Sequence, residues 1–325
     1  MRASEVARAN SLVVAWLVSL AIVAARHSRW VLVMGLALGL LFQDIAYLAR
    51  PSIPFFIALL LLAASFRIGP DGLSGAVGKL KTHIILTLLC QLLLPLLLIA
   101  VFVLTGASGM FITALLLVAA AAPISGSLNL VIMLGHEPAA ALRQLVVGTA
   151  FLPLTIIPVL LFLPSIGNVA SIALVTFKLL LVIMGAAGVG ILLRRLPRFK
   201  RLEPAEIDVI DGVSAILMAL VVVGLMSAIG ATFAESPSRL LLIFLFAFAV
   251  NFGFQWLGSF FWGRYFGDEF DVPMSVISGN RNIALYLTAL PVSVTEPLLA
   301  FLGCYQFPMY LTPLLLRRFY QKRKS

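Results

Sequence analysis

Two heptapeptides in this 325-residue chain gather hydroxyls, amides and a guanidinium inside apolar surroundings. They are Ile124-Ser125-Gly126-Ser127-Leu128-Asn129-Leu130 and Ile277-Ser278-Gly279-Asn280-Arg281-Asn282-Ile283. Both read Ile-Ser-Gly-x-x-Asn followed by Leu or Ile, and they lie 153 residues apart, close to half the chain. Amides and hydroxyls can coordinate an ion or orient a polar ligand, and an arginine can hold an anion. No nucleophile with a neighbouring base is among them, so the set points to binding rather than to bond-making chemistry.

The elements that must position these residues lie in a membrane. The chain is 62% hydrophobic and 11% charged, with a mean hydropathy of +1.11, whereas a soluble domain carries roughly 25% charged residues. The net charge of +10 does not point to nucleic acid. Basic residues gather at the ends of apolar segments, as in Arg194-Arg195 through Arg201 and Arg317-Arg318 through Lys324, the pattern of loops lying against anionic lipid. Cys90 and Cys304 both fall within apolar segments and read as small core residues.

The apolar run from Ser11 to Ala25 has 15 residues and is flanked by Arg2, Arg8, Arg26 and Arg29. A span needs about 20, so 1–29 is expected to be a basic, interfacial segment, with an eleventh span as the alternative. Ten spans are expected near 30–48, 52–66, 82–104, 110–134, 143–163, 171–193, 207–229, 240–262, 273–291 and 297–316, with a basic tail over 317–325. If the first of these leaves the cytoplasm, nineteen Lys and Arg lie inside against two outside, Arg50 and Arg239. The positive-inside rule then places both ends of the ten-span core in the cytoplasm.

The two motifs fall in the fourth and ninth spans. Five spans separate them, so the two halves have opposite orientation. Inverted five-span halves with a polar interruption in corresponding helices are the layout of a secondary transporter, with its site near the midplane. Pro123 and Gly126 predict a helix break in the fourth span. Asn129 and Asn282 are expected to share one polar site, with Ser127 and Asn280 beside them. Arg281 sits near the centre of the ninth span, where a charge costs at least about 2.5–3.5 kcal/mol. No Asp or Glu lies deep in a span, so a substrate anion is expected to supply the counter-ion. Gln91 in the third span is a further amide in hydrocarbon. So are Asn251 and Gln255, which are four apart and so share one face of the eighth span.

Other residues read as structural. Lys178 and Arg67 are expected to snorkel from their spans. Gly35-x-x-x-Gly39 and the run Gly185, Gly188, Gly190 read as helix-packing surfaces. Gly106-Ala107-Ser108-Gly109 resembles the serine motif of rhomboid proteases, but His27, His83 and His136 all lie outside any later span. The chain is therefore not expected to be an enzyme.

Pro123-x-x-Gly126-x-x-Asn129, the turn at Leu134–Pro138, Gly279-x-x-Asn282-x-x-Leu285 and Gln91 before a leucine-rich run together resemble the bile acid:sodium symporter family. The resemblance runs from about Trp30 onward. It implies an all-α fold of ten helices in two inverted repeats, with unwound fourth and ninth helices crossing at the centre. It also implies a panel-like domain (30–66 and 171–229) and a core-like domain (82–163 and 240–316), with an organic anion bound between them and two sodium ions behind the crossing. The family's sodium ligands would map to Gln91, Leu128, Asn129, Leu142, Val146, Ile277 and Arg281, with backbone oxygens near Ser278 and Asn280. Leu128, Leu142 and Val146 lack the oxygen a hard cation needs. Ile277 and Arg281 stand where the family has a glutamate and a glutamine. Arg281 is therefore expected to act as a tethered cation in place of sodium. Arsenite exporters of the wider group carry a cysteine where this chain has Ala122, which disfavours arsenite. The expected function is secondary transport of a small organic anion across a bacterial inner membrane, and the alternative is a membrane-embedded ligand sensor that kept the fold.

Overall fold

The computed structural model describes residues 15–77, 79–163 and 166–323, and they form helices joined by short connections. The protein is an all-α polytopic membrane protein. Among the described residues, seven helices are long and apolar enough to cross a bilayer: α3 (Gln43–Pro70), α4 (Leu80–Thr105), α7 (Ala139–Phe162), α8 (Val169–Arg195), α9 (Pro204–Glu235), α10 (Pro237–Phe266) and α12 (Val292–Leu315). An eighth is reached if α1 (Ala15–Arg26) and α2 (Ser28–Leu41), bent by 95° at their junction, count as one span. Shorter elements are α5 (Met110–Ala120), α6 (Ser127–Met133), α11 (Asp268–Gly279), the 3₁₀ segment Ile283–Thr288 and the terminal α13 (Arg317–Gln321). In α12, 72% of the most apolar window is buried against protein, and in α8 only 17%. α12 is therefore mostly packed against protein, and α8 is mostly exposed.

The first two expected spans divide at a different place. The expected break near Arg50-Pro51 is absent: helix continues there, and the chain leaves helical geometry at Phe42 (φ −118°, ψ 78°). The Gln43 amide donates to the carbonyls of Gly39 and Leu40 at 3.0 Å each, satisfying the open end of α2. Pro51 sits in the first positions of a 3₁₀ turn, Arg50–Ser52, where a missing N–H is tolerated. A second break, at the far end of α3, is Gly69, whose φ of 63° only glycine adopts freely, followed by Pro70.

The chain divides into two compact units. The first runs to Gly69 and takes in Ala186–Ser227, and the second holds Pro70–Gly185 and Ala228–Ser325. In the first, Gly35 lies against Ala219 and Gly39 against Val223 and Met226, so α2 and α9 approach closely. Gly190 lies against the backbone of Leu62 and Phe66 on α3. Gly185 and Gly188 meet nothing within 4 Å, which corrects the packing role expected for them. Arg67 does not simply snorkel: its guanidinium forks onto Asp211, Nε to Oδ1 at 2.5 Å and Nη2 to Oδ2 at 3.0 Å. Asp211→Asn is expected to lower stability by about 1 kcal/mol, because the pair is still partly in contact with solvent. Thermal unfolding in detergent checks this.

In the second unit, α10 and α11 form a tight antiparallel hairpin turned by Gly267, and α12 packs along α10. Leu86, Val131, Ala141, Trp262, Met274 and Tyr320 join α4, α6, α7, α10, α11 and α13 into one core. Cys90 and Cys304 are free and buried.

Candidate functional site: the crossing of two interrupted helices

α5 ends at Ala120 because Pro123 disfavours the helical region for the residue before it and has no N–H to continue the ladder. Ala121 is already extended (φ −68°, ψ 150°). In the second half α11 ends at Gly279, and Asn280 leaves helix at φ −100°, ψ 81°. The two extended stretches meet as an antiparallel β-bridge between Pro123 and Arg281. Ile124 N–H donates to Asn280 C=O at 3.1 Å, and Asn282 N–H donates to Ala122 C=O at 2.8 Å. Both bonds flank the bridge pair and neither needs an N–H on residue 123, so proline fits. Backbone groups freed by the interruptions are thereby satisfied, as hydrocarbon surroundings require.

Arg281 is 2% exposed. Its Nε donates to Ser278 C=O, in the last turn of α11, at 3.1 Å. Its Nη1 donates to Ala121 C=O, at the end of α5, also at 3.1 Å. The guanidinium thus joins the C-termini of both interrupted helices, each carrying roughly half a negative charge. The Cys90 thiol lies against it. Two main-chain carbonyls thus hold the guanidinium, which is buried at the crossing. A second cation at those carbonyls would meet the fixed charge at contact distance, so this donor set does not fit a metal ion.

The other expected residues divide into three kinds. Ser127 and Asn280 are buried at the crossing. The Ser127 hydroxyl donates to Ile124 C=O, and Asn280 Nδ2 donates to Val276 C=O at 2.7 Å while its Oδ1 is buried without a partner. Gln91 sits in a π-helical turn, Leu89–Leu93. It accepts from Thr155 Oγ1 at 3.2 Å, and its buried Nε2 is unpartnered. A methyl group on Gly148 would fall 2.6 Å from that nitrogen and 2.9 Å from Pro123 Cδ, so Gln91 reaches the crossing from α4.

Asn251 and Gln255 do share a face, and both are used up in bracing helices together. Asn251 Nδ2 donates to Gly279 C=O at 2.6 Å. Gln255 Nε2 donates to Asn251 Oδ1 at 2.7 Å and to Thr312 Oγ1 at 2.9 Å, and its Oε1 accepts from Tyr320 Oη at 3.1 Å.

Asn129 and Asn282 stand outside this hydrogen-bonded set. Asn129 is exposed, Asn282 is half-buried, and neither side chain makes a hydrogen bond among the described residues. The cause is local geometry. Ser127 opens α6 with its side chain inward, and two further residues at about 100° each turn Asn129 to the opposite face. Asn282 instead precedes the 3₁₀ segment in non-helical backbone (φ −85°, ψ 65°), so like letters occupy unlike conformations.

Sequence reasoning missed Thr155, Tyr305 and Trp262. Tyr305 Oη donates to Gly279 C=O at 2.5 Å, and Trp262 Nε1 donates to Ser278 Oγ at 2.8 Å. A signal was available, since each carries a polar atom on an apolar helix that must find a partner. Beside the 3₁₀ segment, Tyr286, Leu117, Phe301 and neighbours line a small, partly open apolar cavity of about 10 Å³. No protein-family model and no curated protein matches the chain.

Proposed function

We propose that the protein is a secondary transporter of a small organic anion, and that Arg281 stands in place of a coupling sodium ion. The observation that carries this reading is the back-to-back meeting of two interrupted helices through Pro123 and Arg281, the device by which transporters hold polar groups at membrane depth. Counting α1–α2, α5–α6 and α11 with its 3₁₀ segment as one crossing each gives ten crossings. The interruptions then fall in the fourth and ninth, as in the bile acid:sodium symporter pattern that the motifs resemble. With Arg26, Arg29 and Arg50 then within crossings, seventeen Lys and Arg remain inside against Arg239 outside, which favours cytoplasmic ends; the two halves are then inverted, and a bacterial inner membrane fits that topology.

Sodium does not fit the residues present. The guanidinium already takes Ser278 and Ala121 C=O, Ile277 is fully buried and apolar, and Leu128, Leu142 and Val146 offer no oxygen. No carboxylate lies beside the guanidinium among the described residues, so an anionic substrate meets no fixed negative side chain at the crossing. Uptake of small carboxylates into proteoliposomes is the test. Flux is expected to be equal with sodium and with potassium outside; flux that requires the sodium gradient overturns the sodium-free reading. A carboxylate that raises the melting temperature and is not transported would indicate a sensor instead.

A further inference from the structure

We infer that the second unit carries a binding groove for an anionic phospholipid between α10 and α13. This rests on the chain being a membrane protein and not on the transport reading. Ser259, Phe260, Arg318, Phe319, Lys322 and Arg323 line an open groove of about 510 Å³. α13 follows the apolar α12 with one residue between, and Leu314 and Leu315 just before it are exposed, so the groove lies at the edge of the hydrocarbon.

The charge pattern calls for an anion. α13 and its flank carry Arg317, Arg318, Lys322 and Arg323 with no acidic residue. Arg318 and Lys322 are four apart and both exposed, a like-charge pair on one helix face that opposes helix formation unless an anion lies between. Arg323 is held by Asp271 at 3.3 Å and stacks on Phe319 at 5.6 Å, while its Nη1 has no partner. Of the three cations lining the groove, Asp271 therefore offsets one, and Arg318 and Lys322 remain for phosphodiester oxygens.

The groove wall selects a lipid over a free phosphate. Phe260 lines the groove, and exposed Trp256, one turn earlier on α10, packs edge-on against its ring, so the two form an apolar stripe continuing from the groove. The stripe runs from the basic mouth toward the hydrocarbon, where an acyl chain would lie. The site is also preformed, because Tyr320 is buried, donates to Gln255, and accepts from His136 Nε2 at 3.3 Å through its carbonyl. This fixes α13 before any ligand arrives. Basic pockets at the membrane edge bind acidic headgroups by this combination of charge and apolar contact.

The test uses the full chain purified in neutral detergent. Phosphatidylglycerol, phosphatidylcholine and inorganic phosphate are titrated separately while melting temperature and bound lipid by native mass spectrometry are read. Phosphatidylglycerol is expected to bind and stabilise, with the other two inert. Arg318→Gln with Lys322→Gln is expected to weaken phosphatidylglycerol binding about twenty-five-fold, at roughly fivefold per charge removed. Arg239→Gln, at the far end of α10, is expected to change nothing. The inference is overturned if the double variant binds as the parent does, if phosphatidylcholine serves as well, or if inorganic phosphate reproduces the effect.

Discussion

Arg281→Leu is expected to undo the crossing. The substitution leaves Ser278 and Ala121 C=O buried without the donors they now have. Each buried orphan costs about 1–3 kcal/mol, and the two helix C-termini lose the charge that offsets them. A total of about 3–5 kcal/mol is expected, large against the roughly 5–15 kcal/mol that holds a typical domain. Thermal unfolding of the purified variant reads it, and a melting temperature equal to the parent's would show that the guanidinium is dispensable. Arg281→Gln combined with Ile277→Glu removes the fixed cation and adds the carboxylate that the resembling family has. That double variant is expected to melt at a higher temperature in sodium chloride than in choline chloride, whereas the parent is indifferent. No sodium effect in the double variant would sink the idea that Arg281 replaces the ion.

Gly279→Ala is expected to be nearly as damaging, through space rather than charge. A methyl group there would collide with the backbone carbonyl of Asn251 and with Gln255 Cγ. A backbone carbonyl inside a helix cannot turn aside, so α10 and α11 must separate. Separation breaks the Asn251 and Tyr305 hydrogen bonds onto Gly279 C=O. A loss of about 3 kcal/mol is expected, the upper end for overpacking. Gly185→Ala is the matched control: it meets nothing within 4 Å, and removing a helix-interior glycine is expected to stabilise by about 0.5–1 kcal/mol. Equal melting temperatures for the two variants would show that the α10–α11 contact is looser than described.

Part of this architecture is legible in the sequence, and the rest is hidden for identifiable reasons. The membrane class follows from composition alone. The interruption after Ala120 is readable because Pro123 is a local cause acting on its own neighbours. The interruption after Gly279 is readable only through the repeat, since no proline marks it. That repeat does not fix conformation: the start of α6 rotates Asn129 away from Ser127, while Asn282 lies outside any α-helix. Pro51 looks like a boundary, yet a proline in a first turn loses little; the true boundary at Phe42 depends on the Gln43 amide closing α2. The partners of Arg281 leave no trace in the sequence. They are main-chain carbonyls, which every residue possesses, and only tertiary placement brings them together.

The bridge between Pro123 and Arg281 also imposes an order on synthesis. Its two strands lie 158 positions apart, which at roughly 5–20 residues per second is a delay of about 8–32 s. Throughout that interval the Ile124 N–H and the Ala122 C=O lack the partners they have in the finished protein, and in lipid each unmet group costs several kcal/mol. The first half therefore cannot complete itself when it enters the bilayer. It needs water, an insertion chaperone or a shallow resting position until the second half arrives, and a chain truncated before Gly279 is a natural substrate for membrane quality-control proteases.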